Sequence, residues 1–272
     1  MNHNNILSII VTYYPEEKAL KDNVRAFIDN VDKVLIWENT PVTEKLHYRF
    51  LKHEKIEYCG DGVNSISRAL NYAWKYAKNN GYKFLLTVDQ DSFIMNFPLY
   101  INKTIKNINA PTGIWTPQLQ GRHLEEDFEE IIMPITSGML IPIKLLNMIG
   151  GWDETFEVDS VDDEFTLHAH SKGIKTYVVK DAILIQKFGG SRIVHLWGHS
   201  LNIRNYPASR LYNIFKNNII LIRRYPKSNY FKRHFFESWV GYIKFIILFE
   251  TDKFEKMKAI ARGCIRGVIM KK

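Results

Sequence analysis

Asp89 and Asp91 stand one residue apart at the end of an apolar run, Phe-Leu-Leu-Thr-Val over residues 84–88, with Ser92 directly behind them. An apolar run of that length bounded by polar residues reads as a buried strand. Along an extended backbone, residues i and i+2 project to the same side. The pair can then offer hard carboxylate oxygens to Mg²⁺ or Mn²⁺, which also takes diphosphate oxygens and water. Asp residues that merely cap a turn or a helix are the alternative use of this position. A second acidic group, Asp162-Asp163-Glu164, opens a helical stretch, where a helix dipole favours negative charge.

Strand and helix signals alternate through the first half of the chain. Residues 6–13 predict a strand, and Pro15 with Glu16 and Glu17 opens a helix to about residue 29. Strands over 34–37 and 56–58 follow, then Gly60-Asp61-Gly62 turns into a helix over 64–79 and Gly81 ends it. Repeated β-α-β units with short connections imply an α/β fold with a parallel, doubly wound sheet. In such sheets ligands bind beyond the strand ends. Here those ends carry Thr12-Tyr13, Glu38-Asn39, Asp61 and Asp89-Asp91. Farther on, strands are expected over 131–135, 139–141, 175–178 and 182–185, and helices over 144–149, 161–172 and from Pro207 onward.

The chain has 272 residues, 46% hydrophobic and 24% charged, an ordinary globular balance with room for a large core. Cys59 and Cys264 lie far apart without metal-ligand spacing and read as free thiols of a reducing compartment. The first residues lack the basic segment and cleavage site of a signal peptide, and no apolar run reaches spanning length. A soluble or peripheral protein is the expectation. The net charge of +8 is uneven, because residues 200–272 carry 16 Lys and Arg against four acids. That basic section also holds Tyr230, Phe231, Phe235, Phe236, Trp239, Tyr242, Phe245 and Phe249. No zinc-finger, helix-turn-helix or RNP motif accompanies it, so nucleic acid is not the expected partner. Basic residues beside aromatic ones at helical spacing fit an anionic membrane surface, or else a solvated helix packed on the body.

Six segments resemble, in order, the family 2 glycosyltransferases of bacterial polysaccharide synthesis, and among them the rhamnosyltransferase-like branch. They are Val-Thr-Tyr-Tyr-Pro (11–15), Glu-Asn-Thr (38–40), Leu-Thr-Val-Asp-Gln-Asp-Ser (86–92), Thr-Ser-Gly-Met-Leu-Ile (136–141), Ile-Gly-Gly-Trp-Asp-Glu (149–154) and Val-Asp-Ser-Val-Asp-Asp-Glu-Phe (158–165). The resemblance implies a GT-A fold over residues 1–225, with a nucleotide-binding half to residue 92, a continuous acceptor half over 93–225, and a helical extension over 226–272. It also implies a dTDP- or UDP-sugar donor, rhamnose favoured, a divalent cation, and inversion at the anomeric carbon. The acceptor would be a saccharide on a polyprenyl diphosphate at the cytoplasmic face of the membrane.

Roles follow from that resemblance. Asp91 would meet the cation, and Asp89 the ribose and the metal site. Thr12, Tyr13, Glu38 and Asn39 would line the base and ribose pocket, with Arg68 and Arg210 toward the nucleotide-sugar. Trp152, Asp153 and Glu154 would form the acceptor wall, since an aromatic face packs on a sugar's C–H face. An inverting displacement needs a base to take the acceptor's proton. The match puts it at Asp162, with Asp163 one residue of slippage away. Where relatives carry a His-x-x-Gly motif this chain has Gln186-Lys187-Phe188-Gly189, so the third cation ligand stays open among Gln186, His195 and His199. Two other classes remain: a phosphotransferase with Asp89 as nucleophile, whose pair belongs after the first strand instead, and a sugar-nucleotide or membrane-binding module whose catalysis has decayed.

Overall fold

The computed structural model describes residues 4–186, 192–196, 199–203 and 205–270. The chain forms two compact units, Met1–Lys187 and Phe188–Lys272. The join between them lies upstream of residue 225, where the sequence placed a boundary.

The first unit is built on β1 (Ile6–Thr12), α1 (Glu17–Phe27), β2 (Lys33–Glu38), β3 (Ile56–Cys59), α2 (Ile66–Asn79), β4 (Phe84–Asp89), β5 (Ser92–Met95), α3 (Phe97–Lys103), β6 (Ile114–Leu119), β7 (Phe128–Glu130), β8 (Leu140–Pro142), α4 (Ile143–Ile149), α5 (Val161–Ser171) and β9 (Thr176–Gln186). The sheet runs β3-β2-β1-β4-β8-β6-β9-β5, with β7 also on β9. Strands β1 to β4 pair in parallel, as the β-α-β pattern requires. Leu20, Val24 and Phe27 of α1 recur at helical spacing and are buried, and Ala69, Leu70, Ala73 and Ala77 do the same in α2. Ser65 caps α2 by accepting from the Arg68 N–H. The core that the α1 face covers includes Ile6, Ile10, Val34, Ile36, Leu86 and Val88.

Beyond β4 the sheet departs from the fully parallel expectation. Strand β8 is antiparallel to both β4 and β6, and β5 and β7 are antiparallel to β9. Only the turn at Gln90 and Asp91 separates β4 from β5, yet β5 pairs with β9 at the far end of the strand order. The strand expected over 131–135 is absent. Pairing with β9 stops at Glu130, the Ile131 N–H donates once more to the Thr176 carbonyl, and Pro134 has no N–H to extend the ladder. The two strands expected over 175–178 and 182–185 are one, β9. Asp181 at its middle has φ 67°, and its register against β6 shifts between Pro117 and Gln118, which breaks the alternation in the sequence.

The second unit contains the hairpin β10 (Arg192–Leu196) and β11 (His199–Ile203), then α6 (Ala208–Arg224), α7 (Asn229–Phe249) and α8 (Lys253–Ile269). Its core gathers Leu211, Ile214 and Phe215 of α6, Ile246 of α7 and Ile260 of α8. Phe215 stacks on Trp239 at 4.7 Å. Helices α6 and α8 approach closely along Gly263 and Gly267. A Cβ on Gly263 would lie 2.5 Å from the Tyr212 carbonyl oxygen, and one on Gly267 2.6 Å from that of Lys216. At the α7–α8 corner, Lys256 and Glu250 form a buried ion pair of 2.8 Å, and Lys256 also donates to Asn205 Oδ1. Among the described residues, no helix is long and apolar enough to cross a membrane.

Candidate active site

Asp89 is the last residue of β4, and Gln90 and Asp91 form the turn into β5. The two carboxylates therefore meet across a turn, not along an extended strand as the spacing suggested. Asp89 is held on several sides. Asn23 of α1 donates to its carbonyl (2.6 Å), its N–H donates to Ser137 Oγ (3.0 Å), and Gln186 Nε2 donates to its Oδ2 (2.8 Å). Ser137 in turn donates to Ser92 (2.8 Å). Burial pushes the Asp89 carboxyl up to about 7, the charges of Asp91 and Asp162 push the same way, and the Gln186 hydrogen bond opposes them.

The third carboxylate of that set comes from another element. Asp162 lies in the first turn of α5, which begins after Ser160 at φ 64° with no side-chain cap. The Asp163 N–H donates to Asp162 Oδ1 (3.0 Å). Burial raises the pKa of Asp162, the backbone hydrogen bonds lower it, and Asp159 raises it again. Burial, then the neighbouring Asp162, raises Asp163 well above the usual carboxylate range. The fold thus brings Asp91, in the turn after β4, and Asp162, at the start of α5, within electrostatic reach of Asp89.

The ends of β1 and β2 supply the rest of the rim. Tyr13 is exposed, and its backbone is clasped by Gln90, which accepts from its N–H (2.7 Å) and donates to its carbonyl (3.1 Å). Thr12 is buried and its hydroxyl donates to the Trp37 carbonyl (3.2 Å). Glu38 is 3% exposed and takes both arms of the Arg49 guanidinium, at 3.0 and 2.7 Å. Asn39 is also buried, accepting from Trp37 Nε1 (2.9 Å) and donating to Asn64 (3.3 Å). Arg68 pairs with Asp61 at 2.6 Å. Within the first unit Thr12, Tyr13, Glu38 and Asn39 stand at the ends of parallel strands and Arg68 in the first turn of α2, and each side chain has a protein partner, the Tyr13 ring lying edge-on to that of Tyr14 at 4.7 Å. Arg210 belongs to the second unit, where its guanidinium lies over the Tyr206 ring at 4.1 Å.

Of the residues expected to form an acceptor wall, Trp152 is 4% exposed and its ring stacks on Phe165 at 4.5 Å. Asn71 of α2 locks this segment, accepting from the Trp152 N–H and donating to the Trp152 carbonyl and to Glu154 Oε1. Asp153 Oδ1 accepts from the N–H and hydroxyl of Thr155. Glu154 is thus the exposed member of the expected wall, and Trp152 acts as the packing beneath it.

Several partners that shape the site went unread in the sequence. Arg49, Asn23, Asn71 and Gln90 are single polar residues whose roles depend on partners 11 to 83 positions away. The Asp-Gln-Asp spacing marked Gln90's neighbours and said nothing of the amide.

A divalent cation fits the donor set around Asp89. Among the described residues no group of three His, Cys, Asp or Glu side chains forms a ready metal site. Yet Asp89 and Asp91 crowd like charges together, and the Gln186 Oε1 is buried without a hydrogen-bond partner beside them. Two carboxylates and one amide oxygen suffice for Mg²⁺ or Mn²⁺, which keep water and ligand oxygens in the remaining positions. The side chains of His195 and His199, the other two open ligands, lie outside the described residues, as do Lys187, Phe188 and Gly189.

No protein-family model matches the chain. Over 244 residues it is 24% identical to the dTDP-rhamnosyl transferase RfbF of Shigella flexneri, spanning 82% of this chain and 81% of that protein. Its fold matches the crystal structure of GalNAc-T7 with UDP, GalNAc and Mn²⁺ at a TM-score of 0.60 and 12% identity, over 82% of this chain. The match takes in 48% of the GalNAc-T7 chain, about half its length. It also matches S. aureus TarS 1–349 in complex with UDP-GlcNAc at a TM-score of 0.57 and 15% identity, over 97% of this chain and 81% of that one. The chain has the GT-A fold of these glycosyltransferases, and its sequence resembles the rhamnosyltransferase-like branch of family 2.

Proposed function

We propose that the protein is an inverting glycosyltransferase that moves a sugar, rhamnose favoured, from a dTDP- or UDP-sugar to a saccharide acceptor carried on a polyprenyl diphosphate. It would act in bacterial surface polysaccharide synthesis, at the cytoplasmic face of the membrane. The convergence of Asp89, Asp91 and Asp162 carries this reading. The likeness to the S. flexneri dTDP-rhamnosyl transferase supports the donor.

In this mechanism Asp91 and Asp89, with the Gln186 amide oxygen, would hold Mn²⁺ or Mg²⁺, and the cation would supply Lewis-acid stabilisation of the departing nucleoside diphosphate. The Gln90 clasp keeps the exposed Tyr13 backbone fixed beside the carboxylate turn. Asp162 accepts the proton from the acceptor hydroxyl, and its burial raises its proton affinity toward what a base needs. Asp163 keeps the Asp162 carboxylate oriented through its backbone N–H. Tyr13 and Arg68 would reach the nucleotide-sugar. Thr12, Glu38 and Asn39 set the pocket from beneath, and Asp153 and Glu154 face the acceptor above the buried Trp152.

The test is a thermal shift of the full chain with dTDP, UDP and GDP, each with Mn²⁺ and with EDTA. A nucleotide at ~100 times its dissociation constant stabilises by about 2.7 kcal/mol. A metal-dependent shift with dTDP that disappears in Asp91→Asn is the expected result, followed by sugar transfer from the matching donor. Nucleotide binding without turnover on any donor would instead favour the decayed binding module. No shift with any nucleotide would withdraw the transferase reading.

A further inference from the structure

Two helices of the second unit leave large apolar side chains in the open. On α7, Phe236 is 68% exposed, Val240 51% and Ile247 53%. At 100° per residue these three fall on one stripe, turned roughly 130° around the helix from the mean direction of the buried Phe231, Phe235 and Ile246. On α8, Phe254 is 77% exposed, Ile265 62% and Val268 57%. They lie opposite Ile260, Gly263 and Gly267, the edge that packs on α6. Each stripe thus points away from the core that its own helix helps to build. Soluble domains seldom leave so many large apolar side chains uncovered in one short stretch.

The charge beside the stripes says what covers them. Arg233 and Lys244 border the α7 stripe, Lys258 lies within the α8 stripe, and Arg262 borders it. Residues 226–272 hold eleven Lys and Arg against four acids. Two of those acids are already engaged, Glu250 by Lys256 and Glu237 by Arg233. A second copy would bring like charge against like charge. We propose that the outward faces of α7 and α8 form a docking surface for an anionic lipid bilayer. Phe236, Val240, Ile247, Phe254, Ile265 and Val268 enter the acyl boundary, while the cations reach the headgroups by extending their aliphatic stems. Neither helix can span the bilayer, so both lie in its plane. The surface rests on the second unit alone, so its failure leaves the transferase reading standing, and the reverse holds too.

Cosedimentation of the full chain with vesicles tests it, using phosphatidylcholine alone or mixed with phosphatidylglycerol. Binding to the mixed vesicles, little to the neutral ones, and loss at high salt are expected, because screening shortens electrostatic reach from about 8 Å to about 3 Å at 1 M. The paired change Phe236→Ser with Ile265→Ser should weaken vesicle partitioning about tenfold or more, at an unchanged melting temperature. Lys244→Glu with Arg262→Glu should abolish the preference for anionic lipid. Wild-type protein that ignores the mixed vesicles would overturn the proposal, as would serine variants that bind like the wild type. So would a concentration-dependent dimer, seen by sedimentation and lost in the serine variants, since that would assign the stripes to a second copy.

Discussion

The two units break the ordinary rule of burial in opposite directions. The first draws Asp91 and Asp162 toward Asp89, and burial together with their like charge holds the Asp89 carboxyl near pH 7. The second puts its charges where they are matched or wet and leaves hydrophobic side chains outside, Phe254 at 77% exposure. Even its one deeply buried ion pair among the described residues is complete, with Lys256 held by both Glu250 and Asn205. Each departure is costly in isolation. Each has its proposed relief: a small hard cation for one unit, an apolar surface with anionic headgroups for the other.

Four changes would break or sharpen this contrast. The largest effect is expected from Asp162→Asn, which removes the proposed base while keeping shape. Turnover should fall by about 10²–10⁴-fold with nucleotide binding intact, and a loss confined to Asp163→Asn would move the base by one residue. Next, Lys256→Met strands Glu250 in the interior and should destabilise the helical unit by about 3–5 kcal/mol in denaturant melts. Pairing it with Glu250→Leu should recover most of that loss, which distinguishes a satisfied pair from a strained one.

Third comes the crowded carboxylate. Unfolded, Asp89 ionises near the ordinary aspartate value of about 3.9, whereas folded it keeps its proton to about 7. Unfolding then releases a proton between those values, so metal-free stability should fall as pH rises from about 4 to about 7 and level off above. The raised values of Asp162 and Asp163 add slope of the same sign. Asp89→Asn should flatten part of this profile and stabilise the metal-free chain at pH 8 by about 2–4 kcal/mol. Mn²⁺, which favours the ionised form, should stabilise the wild type most above pH 7 and not rescue the variant. Smallest of all, Phe236→Ser alone should change melting by no more than about 0.5 kcal/mol, because its side chain touches mostly solvent. A larger loss would mean the stripe is core.

The sequence was most readable where local pattern and tertiary role coincide. Strands β1, β2 and β4 and helix α2 announce themselves by buried runs and helical spacing, and the Asp-Gln-Asp end of β4 shows its paired carboxylates in its letters. Reading failed where long-range pairing decides. Strand β9 looked like two because Asp181 interrupts its alternation, and only the β6 neighbour shows that the ladder resumes two residues on. Strands β5 and β6 were missed because their short runs take shape only against β9. In the site, Glu38 and Asn39 were visible, but their full engagement by Arg49, Trp37 and Asn64 was not. A buried carboxylate and a ligand-facing one have the same letter.

The Gln90 clasp changes how the Asp-x-Asp tripeptide should be pictured. Its outer residues carry the carboxylates, while the middle one turns back and reads both the N–H and the carbonyl of Tyr13, much as one nucleobase reads another. Only a side chain with a donor and an acceptor on the same plane can make that match; a glutamate of equal length would set an oxygen against the Tyr13 carbonyl. The central position is therefore a peg joining two loops, and the carboxylate turn cannot shift without carrying the end of the first strand along with it.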